Sequence, residues 1–172
     1  MPQLVEPSLA QAASFRAAMA EFAAEGRGGE GDDESALGRE IRVYGGRWHT
    51  DAGLAEFVED LRRAGDPAIP PRQGWVHSST YWWTDGPTYL ASIRIRHRLT
   101  PHLLEVGGHI GYDVAPSARL RGHGTAMLAA ALPKAAELGI SSVLITCDTD
   151  NIGSRKIIEA NGGQLEDERQ GR

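Results

Sequence analysis

The sequence of 172 residues predicts a mixed α/β fold. Two amphipathic helical segments come first, two strands follow, and the rest of the chain has the order strand, helix, strand, helix. A turn that contains two glycines joins the predicted strand at residues 109–114 to the predicted helix at 126–138. Because each helix and strand has an apolar face to bury, this order predicts a central sheet that is covered by helices.

The first part of the chain, residues 1–70, is predicted to be mainly helical. Residues 8–24 are rich in alanine and place apolar side chains near helical spacing. Residues 26–34 combine glycines with acidic side chains, which is typical of a flexible segment. Thr50 is a good cap for a second helix, and the prolines in 66–71 end that helix. The apolar side chains that share one face of it are Leu54, Phe57, Val58 and Leu61.

Strand segments account for the middle of the chain. Residues 76–83 and 89–97 are predicted to form two strands, with a turn at 84–87 between them. Residues 99–108 make a longer connection into the next strand. Beyond the helix that follows, residues 142–146 are apolar and β-branched, as expected of a buried strand.

The most informative run is residues 119–126, Arg-Leu-Arg-Gly-His-Gly-Thr-Ala. It lies between a strand and a helix, so successive backbone N–H groups converge at the positive end of the helix dipole. Glycine lets a ligand approach this backbone closely. No lysine follows Gly124, as a P-loop requires, and the three spaced glycines of a dinucleotide fingerprint are absent. The run therefore predicts a site for the phosphate or pyrophosphate of another ligand.

The pattern Arg-x-x-Gly-x-Gly resembles the pyrophosphate loop of the GNAT N-acetyltransferases, which bind acetyl-coenzyme A (acetyl-CoA). Three flanking features match the family too: the Val-Ala-Pro run at 114–116, Asn151 after the next strand, and the Asn-Gly-Gly run at 161–163. The resemblance covers residues 75–163, the expected acetyl-CoA-binding core of a single domain spanning 1–172. It implies a GNAT fold, in which helices flank a mixed central sheet with splayed strands four and five.

The resemblance also assigns residues to acetyl-CoA. The strand before the loop would pair by its backbone with the pantetheine arm, as an added strand does. The two loop arginines would add positive charge near the phosphates, and Asn151 would hydrogen-bond a pantetheine amide. Ser154 is close in sequence, although a role at the helix start is its simpler interpretation. The residues assigned to the cofactor are Tyr112, Asp113, Val114, Arg119, Arg121, Gly122, His123, Gly124, Thr125, Ala126, Asn151 and Ser154.

Acetyl transfer to an amine requires the neutral amine, so a base or desolvation must remove a proton from the ammonium. Glu105 and His109 are the candidate catalytic residues, with Asp148 as a third. His109 lies near the position where relatives have a catalytic carboxylate, and its ordinary pKa suits a base. A strand histidine with a satisfied hydrogen bond is an equal alternative. Glu105 is suited to hold the substrate ammonium instead. Asp148 and Asp150 are suited to cap the helix at Asn151.

Two further positions bear on catalysis and substrate binding. Many relatives place a tyrosine, which protonates the leaving thiolate, at the position that Ile158 occupies here, so this acid is missing. Trp82 and Trp83 point to opposite faces of a strand. One is predicted to be buried and the other partly exposed beside the substrate, although simple packing explains both equally well. The residues assigned to the substrate are Trp82, Trp83, Glu105 and Asp148.

Composition argues against several functions. The formal net charge is −5 and no basic block is present, which argues against a nucleic-acid partner and favours a small cationic one. The sequence has no run of about 18 apolar residues, so no membrane span is predicted. The first residues lack a signal-peptide pattern. A cytoplasmic protein is therefore expected. Cys147 is the only cysteine, so neither a disulfide framework nor a cysteine metal site is predicted.

Three functions remain open at this stage. The favoured one is acetyl transfer to a primary amine of a small cationic molecule, such as the aminoglycoside-type antibiotic kasugamycin, as a resistance reaction. The second is acetylation of a protein or peptide N-terminus. The third is an acetyl-CoA-binding sensor without transfer, which the missing tyrosine favours. The family's last strand is not evident in residues 163–172, and completion of the sheet edge by a second subunit would give a homodimer.

Overall fold

The computed structural model describes residues 1–32 and 35–172. Four strands form one sheet in the order β1, β2, β3, β4, and every neighbouring pair is antiparallel. The β2–β3 hairpin confirms the prediction. The first strand was not predicted, because three residues are too few to show a periodic pattern. The strands are β1 Gln3–Val5, β2 Ser78–Asp85, β3 Thr88–Arg96 and β4 Ile110–Val114.

The described part of the chain contains six α-helices. The first and third pack on one face of the sheet, and the fifth packs on the other face with the sixth beside it. Thr50 caps the third helix as predicted, since its hydroxyl accepts the N–H of Gly53 at 3.1 Å. The helices are α1 Ala12–Ala24, α2 Ala36–Tyr44, α3 Asp51–Gly65, α4 Pro101–Glu105, α5 His123–Glu137 and α6 Ile152–Ala160.

The alternation of β3 separates an apolar face from a polar one. Ala91, Ile93 and Ile95 are at most 1% exposed and pack beneath α5. Side chains of successive strand residues point to opposite faces, so the residues between them face the side of α1, α2 and α3. These residues of the polar face are Ser92, Arg94 and Arg96.

The core beneath α1 and α3 is aromatic. Phe15 stacks on Trp82 with ring centroids 4.8 Å apart, and Trp48 and Phe57 pack against the same ring of Phe15. Trp82 is 1% exposed, and Trp83 on the opposite face is 7% exposed. The expectation that one of this pair is partly exposed is therefore wrong, because helices cover both faces of β2.

Residues 142–146 do not form the predicted fifth strand. In the described part of the chain, one backbone hydrogen bond joins them to the start of β4, from the N–H of His109 to the carbonyl of Leu144 at 2.7 Å. The N–H of Leu144 donates to Nδ1 of His109 at 3.0 Å, so it is not available to a strand partner. The sheet is consequently antiparallel rather than mixed. The segment parts from β4 after this point and leaves a gap beside that strand.

Helix α2 was not predicted, although the sequence carries its signal. The Ser35 hydroxyl accepts the N–H of Gly38 at 2.8 Å and caps the helix. Leu37 and Tyr44 are buried in the aromatic core, and Ile41 packs against it. These three side chains recur at helical spacing directly after a serine, which is the pattern of a capped amphipathic helix.

The predicted flexible segment at 26–34 is described as far as residue 32, and its last two residues lie outside the described residues. Within the described part, Arg27 donates to Asp113 of β4 at 2.7 Å. Asp32 accepts the N–H of Gly28 at 2.8 Å and also pairs with Arg27. These contacts fasten the beginning of the segment to the sheet.

The chain beyond α6 folds back against the end of α4 and the residues before α6. Arg169 donates to Glu105 at 2.8 Å, and the N–H of Thr149 donates to the carbonyl of Gly171 at 2.8 Å. Residues 163–172 contain no strand. Within residues 1–32 and 35–172, no helix has both the length and the apolar character to cross a bilayer.

Candidate active site

The turn before α5 presents unbonded backbone N–H groups. Gly122 caps the helix with φ 80°, a left-handed conformation that glycine adopts without strain, and no side chain caps this helix. A Cβ at Gly122 would have no atom within 4 Å, so the turn is open on this side. The first intrahelical bond runs from Ala126 back to Gly122. The N–H groups before Ala126 are thus free to bind an anion.

Gly124 has a second role besides access to a phosphate. A Cβ there would lie 2.5 Å from the Cδ1 atom of Ile157 and 3.5 Å from Val114. The second glycine of the loop therefore permits close packing between α5, α6 and the end of β4. The sequence pattern could not reveal this role, because it depends on a helix thirty residues further along the chain.

Two side chains fix the beginning of α5 in place. Trp83 of β2 donates its indole N–H to Nδ1 of His123 at 3.4 Å. Asn161, just after α6, donates to the carbonyl of Thr125 at 3.2 Å. Through His123, Trp83 thus holds the turn before α5 in place rather than contacting a substrate.

The two loop arginines differ in their surroundings. Arg119 forms a two-point ion pair with Glu25, at 2.6 and 2.9 Å, and donates to the carbonyl of Val114. Arg121 is exposed and has no bonded partner among the described residues. Arg121 is therefore the cation of the pair that a phosphate can engage without displacing a carboxylate.

The gap beside β4 is lined on its far side by residues 145–148 and by the start of α6. Tyr112 of β4 reaches across it, with its hydroxyl 2.7 Å from the Ser154 hydroxyl. Burial raises the pKa of Tyr112. Asn151 caps α6 itself, since its side-chain oxygen accepts the N–H of Ser154 at 3.0 Å. The cap was expected from Asp148 or Asp150, and this expectation was wrong because Asn151 occupies the N-cap position.

A cavity of about 740 Å³ opens from this gap across the polar face of the sheet. Its floor is formed by the polar residues of β3 and by Gly111 and Asp113 of β4, and its wall by α1, α2 and the segment before α2. Arg94 pairs with Glu40 of α2, and Arg27 pairs with Asp113. The cavity is polar and charged, in contrast to the apolar face beneath α5.

Arg96 is a partly buried cation of this cavity. It donates from Nη1 to the carbonyls of Gly107 and Gly108, at 3.0 and 3.1 Å. Burial and, secondarily, the charge of Arg94 lower its pKa to about 10. Sequence analysis did not select either arginine. The signal was present, because two arginines alternate with isoleucines on a strand predicted to lie between helices.

A family model for the acetyltransferase (GNAT) domain matches residues 38–164, more than half of the chain. The chain belongs to the GNAT acetyltransferases. The resemblance of its glycine loop to this family is thereby confirmed. As a GNAT enzyme it is an N-acetyltransferase that uses acetyl-CoA as its acetyl donor.

Two solved structures resemble this GNAT enzyme in fold. One is the microcin C7 self-immunity acetyltransferase MccE in complex with acetyl-CoA and AMP, with 13% identity, a TM-score of 0.61, and 96% of this chain and 80% of that chain covered. The other is RimL, the ribosomal L7/L12 alpha-N-protein acetyltransferase in complex with coenzyme A, with 13% identity, a TM-score of 0.58, and coverage of 93% and 78%. No curated protein matches the sequence.

The GNAT site suits acetyl-CoA on the evidence of its own geometry. The uncapped start of α5 offers backbone donors for a pyrophosphate, and the open side of Gly122 leaves room for it. The gap between β4 and residues 145–148 runs beside that strand and leaves space for a pantetheine arm. Both lie at β4, one after its last residue and one along its side.

The two residues assigned to catalysis do not line the cavity. Glu105 is at the end of α4 and pairs with Arg169 on the surface. His109 uses Nδ1 to accept the N–H of Leu144, and burial followed by the charge of Arg96 lowers its pKa. Asp148 does line the cavity and pairs with Arg172 at 3.0 Å. Within residues 1–32 and 35–172, no cluster of side chains is suited to bind a metal ion.

Proposed function

We propose that this GNAT enzyme acetylates a primary amine of a small molecule that binds in the cavity over β3 and β4. The observation that carries the proposal is the position of β4. Its Tyr112 side borders the gap suited to acetyl-CoA, and its Gly111 and Asp113 side borders the cavity. The gap and the cavity are continuous along this strand, so an amine bound in the cavity can reach the thioester of the donor.

Size favours a small molecule over a protein chain. Helix α2 and the ion pair between Arg27 and Asp113 form one wall of the cavity. A volume of about 740 Å³ is in the range of sites for small ligands. An aminosugar such as kasugamycin stays one candidate, and a protein N-terminus is the alternative that RimL acts on.

The chain's own residues have distinct parts in this proposal. The start of α5 and Arg121 hold the phosphates, and the backbone of residues 112–114 aligns the pantetheine arm. Acetyl-CoA supplies the thioester. Asp113 faces the cavity and, together with Asp32, binds the incoming ammonium. These two carboxylates share the single arginine Arg27, so one negative charge is left for the ammonium. Ser154, held by Tyr112, is a hydroxyl on the donor side of the strand.

The proposed function is tested by release of coenzyme A from acetyl-CoA in the presence of a panel of amines. The panel contains kasugamycin and other aminoglycosides, simple aminosugars, amino acids, and peptides with free N-termini. Turnover with one of the small amines supports the proposal. Turnover with peptides alone would favour the N-terminal reaction. Calorimetric binding of acetyl-CoA with no turnover on any amine would identify a sensor.

The proton acceptor is tested by pH–rate profiles of single variants. Loss of a general base lowers the rate by about 10²–10⁴-fold, and the loss shrinks at high pH where the free amine is present. We expect Asp113→Asn to weaken amine binding at every pH, because it removes a carboxylate that binds the ammonium. Glu105→Gln and His109→Ala test the two sequence-based candidates in the same assay. A pH-dependent loss in either one would make that residue the base.

A further inference from the structure

The carboxylates of the cavity are already paired. In the described part of the chain, each acidic side chain that lines the cavity lies within ion-pair distance of an arginine. An ammonium therefore competes with arginines for every one of these groups. The pairs are Arg27 with Asp32 and Asp113, Arg94 with Glu40, and Arg172 with Asp148.

Arg96 differs from these arginines because no carboxylate pairs with it among the described residues. Its hydrogen bonds go to the carbonyls of Gly107 and Gly108, and both leave from Nη1. No buried side-chain nitrogen in the described residues lacks a partner. The other N–H groups of Arg96 must therefore reach open space, and the residue lines the cavity. A guanidinium has five N–H donors, so most of its capacity is unused.

The electrostatic surroundings make a bound anion favourable at this place. Arg96 is removed from much of the solvent, and the charge that acts on it is the like charge of Arg94. A buried cation without an opposite charge is costly, and an anion that accepts its N–H groups offsets this cost. Arg94 is neutralised by Glu40 and needs no such partner.

The position of this cation relative to Asp113 sets the spacing of the ligand. A Cβ built on Gly111 would lie 3.9 Å from Nη1 and 4.0 Å from Nη2 of Arg96, so the guanidinium rests against Gly111. Asp113 is two residues further along the same face of β4. Two strand residues span roughly 7 Å. The cavity thus has an acidic end at Asp113 and a cationic end at Arg96.

We propose that the substrate amine also carries an anionic group, a carboxylate or a phosphate, and that Arg96 binds this group while the amine lies toward Asp113. The inference rests on the proposed function and narrows its substrate class. It replaces the purely cationic substrate that the net charge of the chain suggested. The net charge describes the whole surface, whereas the unpaired charge inside the cavity is positive.

The first experiment measures anion binding without any acetyl transfer. Inorganic phosphate is titrated into the protein saturated with coenzyme A, so that the turn before α5 is occupied, and the backbone NMR signals of Gly107 and Gly111 are followed. Saturable shifts of both signals are expected. Arg96→Gln should weaken the binding at least about tenfold, as expected for lost charge-assisted bonds. Arg96→Lys should retain part of it, and Arg62→Gln on the outer surface of α3 is the matched control.

The folding of each variant is checked by thermal unfolding, because Arg96 also holds the turn at residues 107–108. If Arg96→Gln is unfolded, Arg96→Lys and the wild-type shifts decide the question. Phosphate that leaves both glycine signals unmoved, or that binds Arg96→Gln as well as the wild type, overturns the inference. Neither result depends on whether the protein acetylates anything.

The second experiment compares matched amines as acetyl acceptors. Glucosamine 6-phosphate is paired with glucosamine, and 4-aminobutanoate is paired with 4-aminobutanamide, which lacks the carboxylate. We expect the anionic member of at least one pair to have a kcat/KM at least about tenfold higher, and Arg96→Gln to remove this preference mainly through KM. The preferred pair distinguishes a phosphate from a carboxylate. Equal use of both members in both pairs overturns the inference, whereas binding of phosphate without turnover on any amine refutes only the proposed function.

Discussion

The two faces of β3 and β4 differ in what they do for the protein. Beneath α5, Ile93, Ile95 and Ile110 are at most 1% exposed and belong to one apolar core cluster. On the opposite face, Arg94 and Arg96 stand in a cavity with several carboxylates. The apolar face supplies stability that the charged cavity does not. Because that face anchors β3, the same strand can hold buried arginines in fixed positions on its other side.

Replacement of Ile93 by Ala should break the apolar side of this comparison most strongly. The side chain is 1% exposed, and removal of a buried Ile costs about 2–5 kcal/mol of unfolding free energy. Ser92→Ala, one residue away on the polar face, is the matched control and should cost well below half as much. Urea unfolding measures both. Equal losses would mean that the two faces contribute alike to stability.

Replacement of Gly124 by Val tests whether this glycine of the anion-binding turn serves packing, phosphate binding or both. The added carbons collide with Ile157, so a loss of about 1–3 kcal/mol in stability is expected together with weaker acetyl-CoA binding. The double variant Gly124→Ala with Ile157→Val removes the closest of these contacts. If calorimetry then shows wild-type affinity for acetyl-CoA, Gly124 acts through packing, and the phosphate contact belongs to the rest of the loop.

Replacement of Asn151 separates its cap from its proposed contact with pantetheine. Asn151→Ala should lower stability by about 1 kcal/mol, because the cap of α6 is lost. It should also raise the KM for acetyl-CoA, since a hydrogen bond worth about 0.5–1.5 kcal/mol is removed. Asn151→Ser keeps a capping oxygen and lacks the amide. A normal KM in the serine variant would show that the helix cap alone accounts for the alanine effect.

The smallest effect is expected from a change of pH, through His109 at the start of β4. Burial and the charge of Arg96 lower its pKa below the ordinary value of 6.5, so the unfolded chain binds this proton more readily than the folded one. The stability that neutral His109 contributes is therefore complete above about pH 6.5 and is lost as the pH falls below that value. The urea midpoint of unfolding should fall as the pH is lowered from about 8 to about 5, and this fall should be smaller in the His109→Gln variant. The pKa of His97 is lowered too, by burial and by His77, so part of the slope should persist.

The sequence predicted the local features well where one signal decided them. Thr50 capped a helix because a hydroxyl before an amphipathic run is a strong signal, and the glycine turn before α5 appeared where the spacing put it. The strand predicted at residues 142–146 does not form, and the cause is a tertiary contact. Their composition suits a strand, but the imidazole of His109 takes the N–H of Leu144 that a strand partner would need.

The candidate site was less predictable, because its residues come from separate parts of the chain. The glycine loop proposed to hold acetyl-CoA is contiguous and therefore visible in the sequence. The cavity is assembled from α2, β3 and β4, and no local pattern connects Arg27 with Asp113 or shows that Arg96 lacks a carboxylate. The net charge of −5 pointed toward a cationic substrate for the same reason, since it averages over groups that are mostly outside the cavity.

The contact between Arg27 and Asp113 also has a consequence for the synthesis of the chain. The two residues are 86 positions apart, and β1 pairs with residues 82–84 of β2. Neither contact can form until the ribosome has released the later partner, and such distant contacts slow folding. The aromatic faces of α1 and α3 therefore emerge well before the sheet that covers them. A chain stalled before residue 113 should expose these faces to chaperones.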